Sequence, residues 1–164
     1  VQMYAYTGFP RSLNGLAAFE EVLRERKAKG LVDEQGRQAA PFPEGKTSLE
    51  LGTEVQTFLV GAPVRGGLTD FAPAIDEFLQ AHLFGDIFGR DSLDYQSREI
   101  ATVAALASLK GVEGQLRSHC NIAMNVGLST EQMQELVAVI AERVGAEEGG
   151  RAREALEIVL KDRK

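Results

Sequence analysis

One cysteine, two histidines and no long apolar run set the first bounds on this 164-residue chain. Cys120 has no partner for an internal disulfide, so the reducing cytoplasm is the expected setting. His82 and His119 are too few and too widely spaced to suggest a metal site. The longest stretch close to apolar, Ile100 to Leu109, is well short of what a bilayer crossing needs. No signal peptide is visible, and no basic amphipathic stretch offers a hold on an anionic membrane. Basic residues are in deficit: 18 Lys and Arg face 24 Asp and Glu, for a net charge of −6. Phosphate binding needs clustered cations, so general affinity for nucleic acid is not expected. The glycine pairs Gly66-Gly67 and Gly149-Gly150 follow no strand and match no phosphate loop, which leaves nucleotide binding without support.

What is present reads as helix. With 44% hydrophobic and 26% charged residues, the composition suits a globular protein with one good core and residues left for a partial second unit. Residues 1–29 open with a short apolar and aromatic stretch ending at Gly8-Phe9-Pro10. A helix then restarts near Pro10, with Leu13, Leu16, Phe19, Val22 and Leu23 spaced by threes and fours. Arg24 to Lys29 and Gly30 suit its end. Residues 30–46, with Gly36, Pro41, Pro43 and Gly45, form a linker.

From 47 onward the main unit, 47–164, begins. Thr47 or Ser48 caps a helix to Val60, and Pro73 starts another that carries Ile75, Phe78, Leu79, His82 and Leu83. A sharp bend is expected at Phe84 to Arg90. Asp94 caps a helix over 95–109, Gly111 breaks it, and a second runs over 113–126. Ser129 or Thr130 caps a third, and a last helix over 149–161 follows Gly149-Gly150. No segment keeps a strand's alternation, so the class is all-α. The chain starts at Val1 rather than Met, so a fragment or processed product is expected. The pattern of 1–29 echoes that of 137–160, as if the tail of an earlier copy preceded the unit.

Two ionisable residues occupy positions where apolar ones belong. At about 100° per residue, Glu99 falls between Tyr95, Val103 and Leu106 on the core-facing stripe. His119 falls between Val112, Ala123 and Val126 on the next helix, while Arg117, Ser118, Asn121 and Asn125 share its opposite face. Helices joined at Gly111 pack antiparallel, which brings the two together. A carboxyl group stripped of water needs a cation or a donor to meet it, and an imidazole supplies either. Proton transfer is the chemistry such a pair supports, although a purely structural pair is as common. Arg98 is a candidate partner for a substrate carboxylate, with a solvated position the commoner fate. His82 is a candidate for the same pocket or a hydrogen-bonded core histidine. Cys120 reads more readily as a small core thiol than as a nucleophile.

From Phe84 to Leu128 the sequence resembles the carboxymuconolactone decarboxylase family. The matching pieces are Phe84-Gly85-Asp86-Ile87-Phe88, Leu93-Asp94 leading into Ser97-Arg98-Glu99, Gln115-Leu116-Arg117-Ser118-His119, and Ala123-Met124-Asn125-Val126-Gly127-Leu128. The likeness extends over the unit from about 47, and Tyr4 to Pro10 looks like the segment that ends such a unit. The resemblance implies an AhpD-like helical bundle assembled as a trimeric or hexameric homo-oligomer, with Glu99 and His119 in its site. It also implies loss of carbon dioxide from a small carboxylate or lactone substrate without metal or organic cofactor. AhpD-type relatives, which are thiol peroxidases or disulfide reductases, carry Cys-x-x-Cys-x-x-x-His. Here the two cysteine positions hold Val112 and Gln115, so a peroxidase would have to work through Cys120 alone. A non-catalytic assembly or small-molecule binding subunit is the third expectation.

Overall fold

The computed structural model describes residues 1–163; residue 164, the last of the expected main unit, lies outside them. Eight α-helices and one π-helical segment, with no strand among the described residues, make the fold all-α as expected.

Local signals account for most helix starts. Helix α2 (Ser48–Val60) begins at a reciprocal capping box between Thr47 and Glu50, and α5 (Tyr95–Ala107) at Asp94, whose carboxylate accepts from the Ser97 amide at 2.7 Å. Helix α6 (Glu113–Asn125) follows the turn at Gly111, where φ is +80°. Helix α7 (Thr130–Arg143) has a second capping box, between Ser129 and Gln132. Between α2 and α5 lie the short α3 (Leu68–Phe71) and α4 (Pro73–Phe78), with proline in its first turn.

Two expectations are corrected. Phe84 to Arg90 does not bend away: α4 runs directly into a π-helical segment, Leu79–Phe88, closed by a bond from the Gly89 amide to the Phe84 carbonyl. Its glycine serves contact rather than turning. A Cβ on Gly85 would lie 2.1 Å from the Ser48 carbonyl oxygen, and one on Gly52 would lie 1.8 Å from that of Gln80. The backbones of α2 and the π segment therefore touch, as only glycine permits. The last helix, α8, spans Ala146–Asp162, so Gly149-Gly150 lies inside it. A Cβ on Gly149 would sit 2.3 Å from that of Ala141, so the position serves the α7–α8 crossing.

Apolar side chains gather in two clusters. Val103, Leu106, Leu116, Cys120, Met133, Ile140 and Leu156 join α5 to α8, while Val55, Leu59, Phe84, Ile87, Phe88 and Ile122 join α2, the π segment and α6. The first helix, α1 (Tyr4–Ala28), is divided by Gly8, and its opening turn rests on α5. Beyond Gly8 its expected apolar stripe is present but uncovered: Leu13, Leu16, Phe19 and Val22 are all at least half exposed.

Candidate acid–base site

Helices α5 and α6 pack against each other and bring the two expected residues together. His119 Nδ1 lies 2.7 Å from Glu99 Oε2; Glu99 is fully buried, and His119 is 8% exposed. With the proton on Nδ1, the imidazole donates and the carboxylate accepts, an arrangement that leaves Nε2 free. Among the described residues Nε2 has no hydrogen-bond partner, and the imidazole is the only part of the pair that reaches the surface. Glu99 Oε1 is buried and also has no partner. Leaving such an atom unmet costs on the order of 1–3 kcal/mol.

Arg98, the neighbour of Glu99, is buried rather than solvated. Its Nη1 donates to Gln2 Oε1 at 2.9 Å and its Nη2 to the Arg90 carbonyl at 2.6 Å, and the guanidinium lies over the Phe88 ring. Burial lowers its pKa from the usual arginine value. Gln2 completes the clamp by donating to the Arg98 carbonyl at 3.0 Å and to Thr102 Oγ1 at 2.7 Å. The segment before α1 is thereby fastened onto α5.

The first turn of α1, just after it, carries a residue the periodicity did not single out. Tyr6 meets His119 edge to face, with ring centroids 5.3 Å apart and planes at 87°. Its hydroxyl is buried without a hydrogen-bond partner. Burial raises the phenol well above its usual range and the charge of Glu99 adds to this, while Thr102 and Arg98 act against it. The Thr102 hydroxyl is close but committed: it donates to the Arg98 carbonyl at 2.9 Å and accepts from Gln2. Thr102 was legible as the next residue along the Glu99 stripe. Tyr6 offered only a polar atom in an apolar opening tract.

The other candidates separate from the pair. Cys120 is a core residue, and burial, followed by the charge of Glu99, pushes its thiol up to about 12. A thiol held neutral is a poor nucleophile, which weighs against the one-cysteine peroxidase. His82 neither enters the pocket nor sits in the core. It is an exposed residue whose Nδ1 lies 2.9 Å from Asp86 Oδ2 and whose Nε2 meets the Tyr4 hydroxyl. The apolar stripe expected to bury it, Phe78 with Leu79, is itself exposed. Among the described residues no three His, Cys, Asp or Glu side chains gather as a ligand set. No helix there is long and apolar enough to cross a membrane.

Clefts open elsewhere on the surface. One of about 510 Å³ is lined by Arg37, Phe88, Arg90, Asp91 and Tyr95, and another of about 400 Å³ by Phe42, Pro43, Asp86 and Arg90. Neither includes Glu99 or His119.

The model of the carboxymuconolactone decarboxylase family matches residues 73–159, which span α4 to α8 and include Arg98, Glu99, His119 and Cys120. A 4-carboxymuconolactone decarboxylase of Acinetobacter baylyi is 28% identical over 115 residues, covering 68% of this chain and 85% of that protein.

Proposed function

Because the chain belongs to the carboxymuconolactone decarboxylase family, we propose that it removes carbon dioxide from a small carboxylated lactone or keto acid, with Glu99 and His119 as the acid–base pair. The observation that carries this reading is the 2.7 Å bond between a fully buried carboxyl group and an imidazole whose other nitrogen is free. The name of the Acinetobacter relative supports the substrate class.

The chemistry follows from the geometry. Loss of carboxylate leaves an electron pair on carbon, delocalised into a conjugated carbonyl, and that carbon must then be protonated. His119 Nε2–H is the donor for this step. Glu99, accepting from Nδ1–H, fixes the tautomer and offsets the charge of the imidazolium. The exposed stripe of α1 gives a homo-oligomer a surface on which to assemble, and residues 1–29 are read as the tail of a preceding copy.

The test is carbon dioxide release from 4-carboxymuconolactone and from a panel of small keto acids. His119→Asn and Glu99→Gln are each expected to lower turnover at least about a hundredfold, in keeping with what positioned acid–base groups contribute. Full turnover by His119→Asn would end the proposal. A second reading, a binding or assembly subunit, is favoured by the absence of the pair from the linings of both clefts described above. It predicts no release from any member of the panel.

A further inference from the structure

We infer that Tyr6 is a third catalytic residue of this site, its hydroxyl donating a hydrogen bond to the substrate oxygen on which negative charge gathers as carbon dioxide leaves. The inference rests on the decarboxylase reading. It adds a group from outside the stretch 73–159 that the family model matches.

Four buried side-chain atoms are without partners among the described residues, and three belong to one neighbourhood: the Tyr6 hydroxyl, Glu99 Oε1 and Arg98 Nε. The charges of both Glu99 and Arg98 act on Tyr6, and its ring stands against that of His119. A tyrosine needed only for packing would do as well as phenylalanine. Here a donor is held beside an imidazole with a free nitrogen, and the Thr102 hydroxyl, which gives its proton to the Arg98 carbonyl and accepts from Gln2, makes no contact of hydrogen-bond geometry with it. Such a donor lacks an acceptor, and an enolate oxygen supplies one. Burial keeps the phenol protonated at neutral pH, so it remains a donor throughout. The placement is not incidental either. Gln2 is tied to Arg98 and Thr102, and the Tyr6 amide bonds to the Met3 carbonyl at 3.1 Å, so the turn bearing Tyr6 continues directly from a residue fastened to α5.

The step balances without a co-reactant. The bond between carbon and carboxylate breaks, carbon dioxide departs, and the electron pair moves into the conjugated carbonyl, whose oxygen accepts from Tyr6 without taking its proton. His119 enters this step as the imidazolium with its Nδ1–H on Glu99: the carbon takes the Nε2 proton, the neutral Nδ1–H imidazole remains, and a proton from solvent restores the imidazolium.

The experiment compares Tyr6→Phe, Tyr4→Phe and His119→Asn with the unaltered chain, with carbon dioxide release from 4-carboxymuconolactone as the readout. Tyr4 serves as the control because its hydroxyl meets His82, outside the site. Tyr6→Phe is expected to lower kcat about a hundredfold, the scale of losing one oxyanion donor, with KM within a few fold and an undiminished Tm. Tyr4→Phe is expected to stay within about twofold, since a hydroxyl remote from the reacting atoms contributes nothing there. If Tyr6→Phe keeps full kcat, or only raises KM, while His119→Asn is inactive, the role of Tyr6 is overturned and the decarboxylase reading stands. An unaltered chain that releases no carbon dioxide from the lactone or any keto acid overturns both.

Discussion

Two histidines in this molecule meet a carboxylate, at 2.7 Å for His119 with Glu99 and at 2.9 Å for His82 with Asp86. The first pair joins two helices and is buried. The second lies one turn apart on a single segment, with both side chains roughly half exposed. Similar functional groups at similar distances thus sit in different media. In water a hydration shell competes for every hydrogen bond, and the exposed pair adds little. Out of water each unmatched atom costs free energy, and Glu99 Oε1 is such an atom.

The sharpest way to break that contrast is by stability. Glu99→Ala strands an imidazole and opens a void, and is expected to cost about 3–5 kcal/mol in chemical denaturation. Asp86→Ala is expected to cost no more than about 1 kcal/mol. Equal losses would show that burial does not distinguish the pairs. A double replacement, Glu99→Leu with His119→Phe, is expected to fold at least as stably as the parent while losing all turnover, since apolar pairs of similar volume replace buried ion pairs without penalty.

A smaller effect concerns Cys120, which shares the buried environment of Glu99. With its thiol near 12, the native protein holds about a thousandfold less thiolate at neutral pH than an ordinary cysteine would. Iodoacetamide is therefore expected to leave Cys120 unmodified in the folded chain and to alkylate it on denaturation, as read by intact mass. Rapid labelling of the native state would reopen thiol chemistry.

How much of this was legible in the sequence depends on how far each cause reaches along the chain. The caps at Thr47, Asp94 and Ser129 act over three residues, and each helix starts where its cap is written. Glu99 and His119 stood out because a charge on an apolar stripe is itself a local anomaly. The misreadings have distant causes. Gly85 and Gly149 looked like breaks because nothing local reveals that Ser48 or Ala141 approaches them. Arg98 looked solvated because Gln2, the partner that buries it, lies 96 residues earlier. His82 was placed among apolar neighbours that α4 and the π segment leave facing outward.

The exposed pair also makes a prediction about pH, and its sign follows from the groups around Asp86. Partial burial pushes this carboxyl group up, but hydrogen bonds from Ser48 and His82, with the charge of His82, outweigh it and hold Asp86 below the ordinary carboxylate range. A folded pKa below the unfolded one gives stability that is present above about pH 4 and is lost as the pH falls through the folded value. Asp86→Asn is therefore expected to be slightly less stable than the parent at pH 6, by about 0.5 kcal/mol once solvent screening is allowed for. The two denaturation curves should converge as the solution is taken below pH 3. A gap that persists into acid would mean that Asp86 acts through the shape of its contact with Ser48 and not through its charge. A gap of several kcal/mol at pH 6 would remove the contrast with Glu99, because the pair left in water would then matter as much as the pair taken out of it.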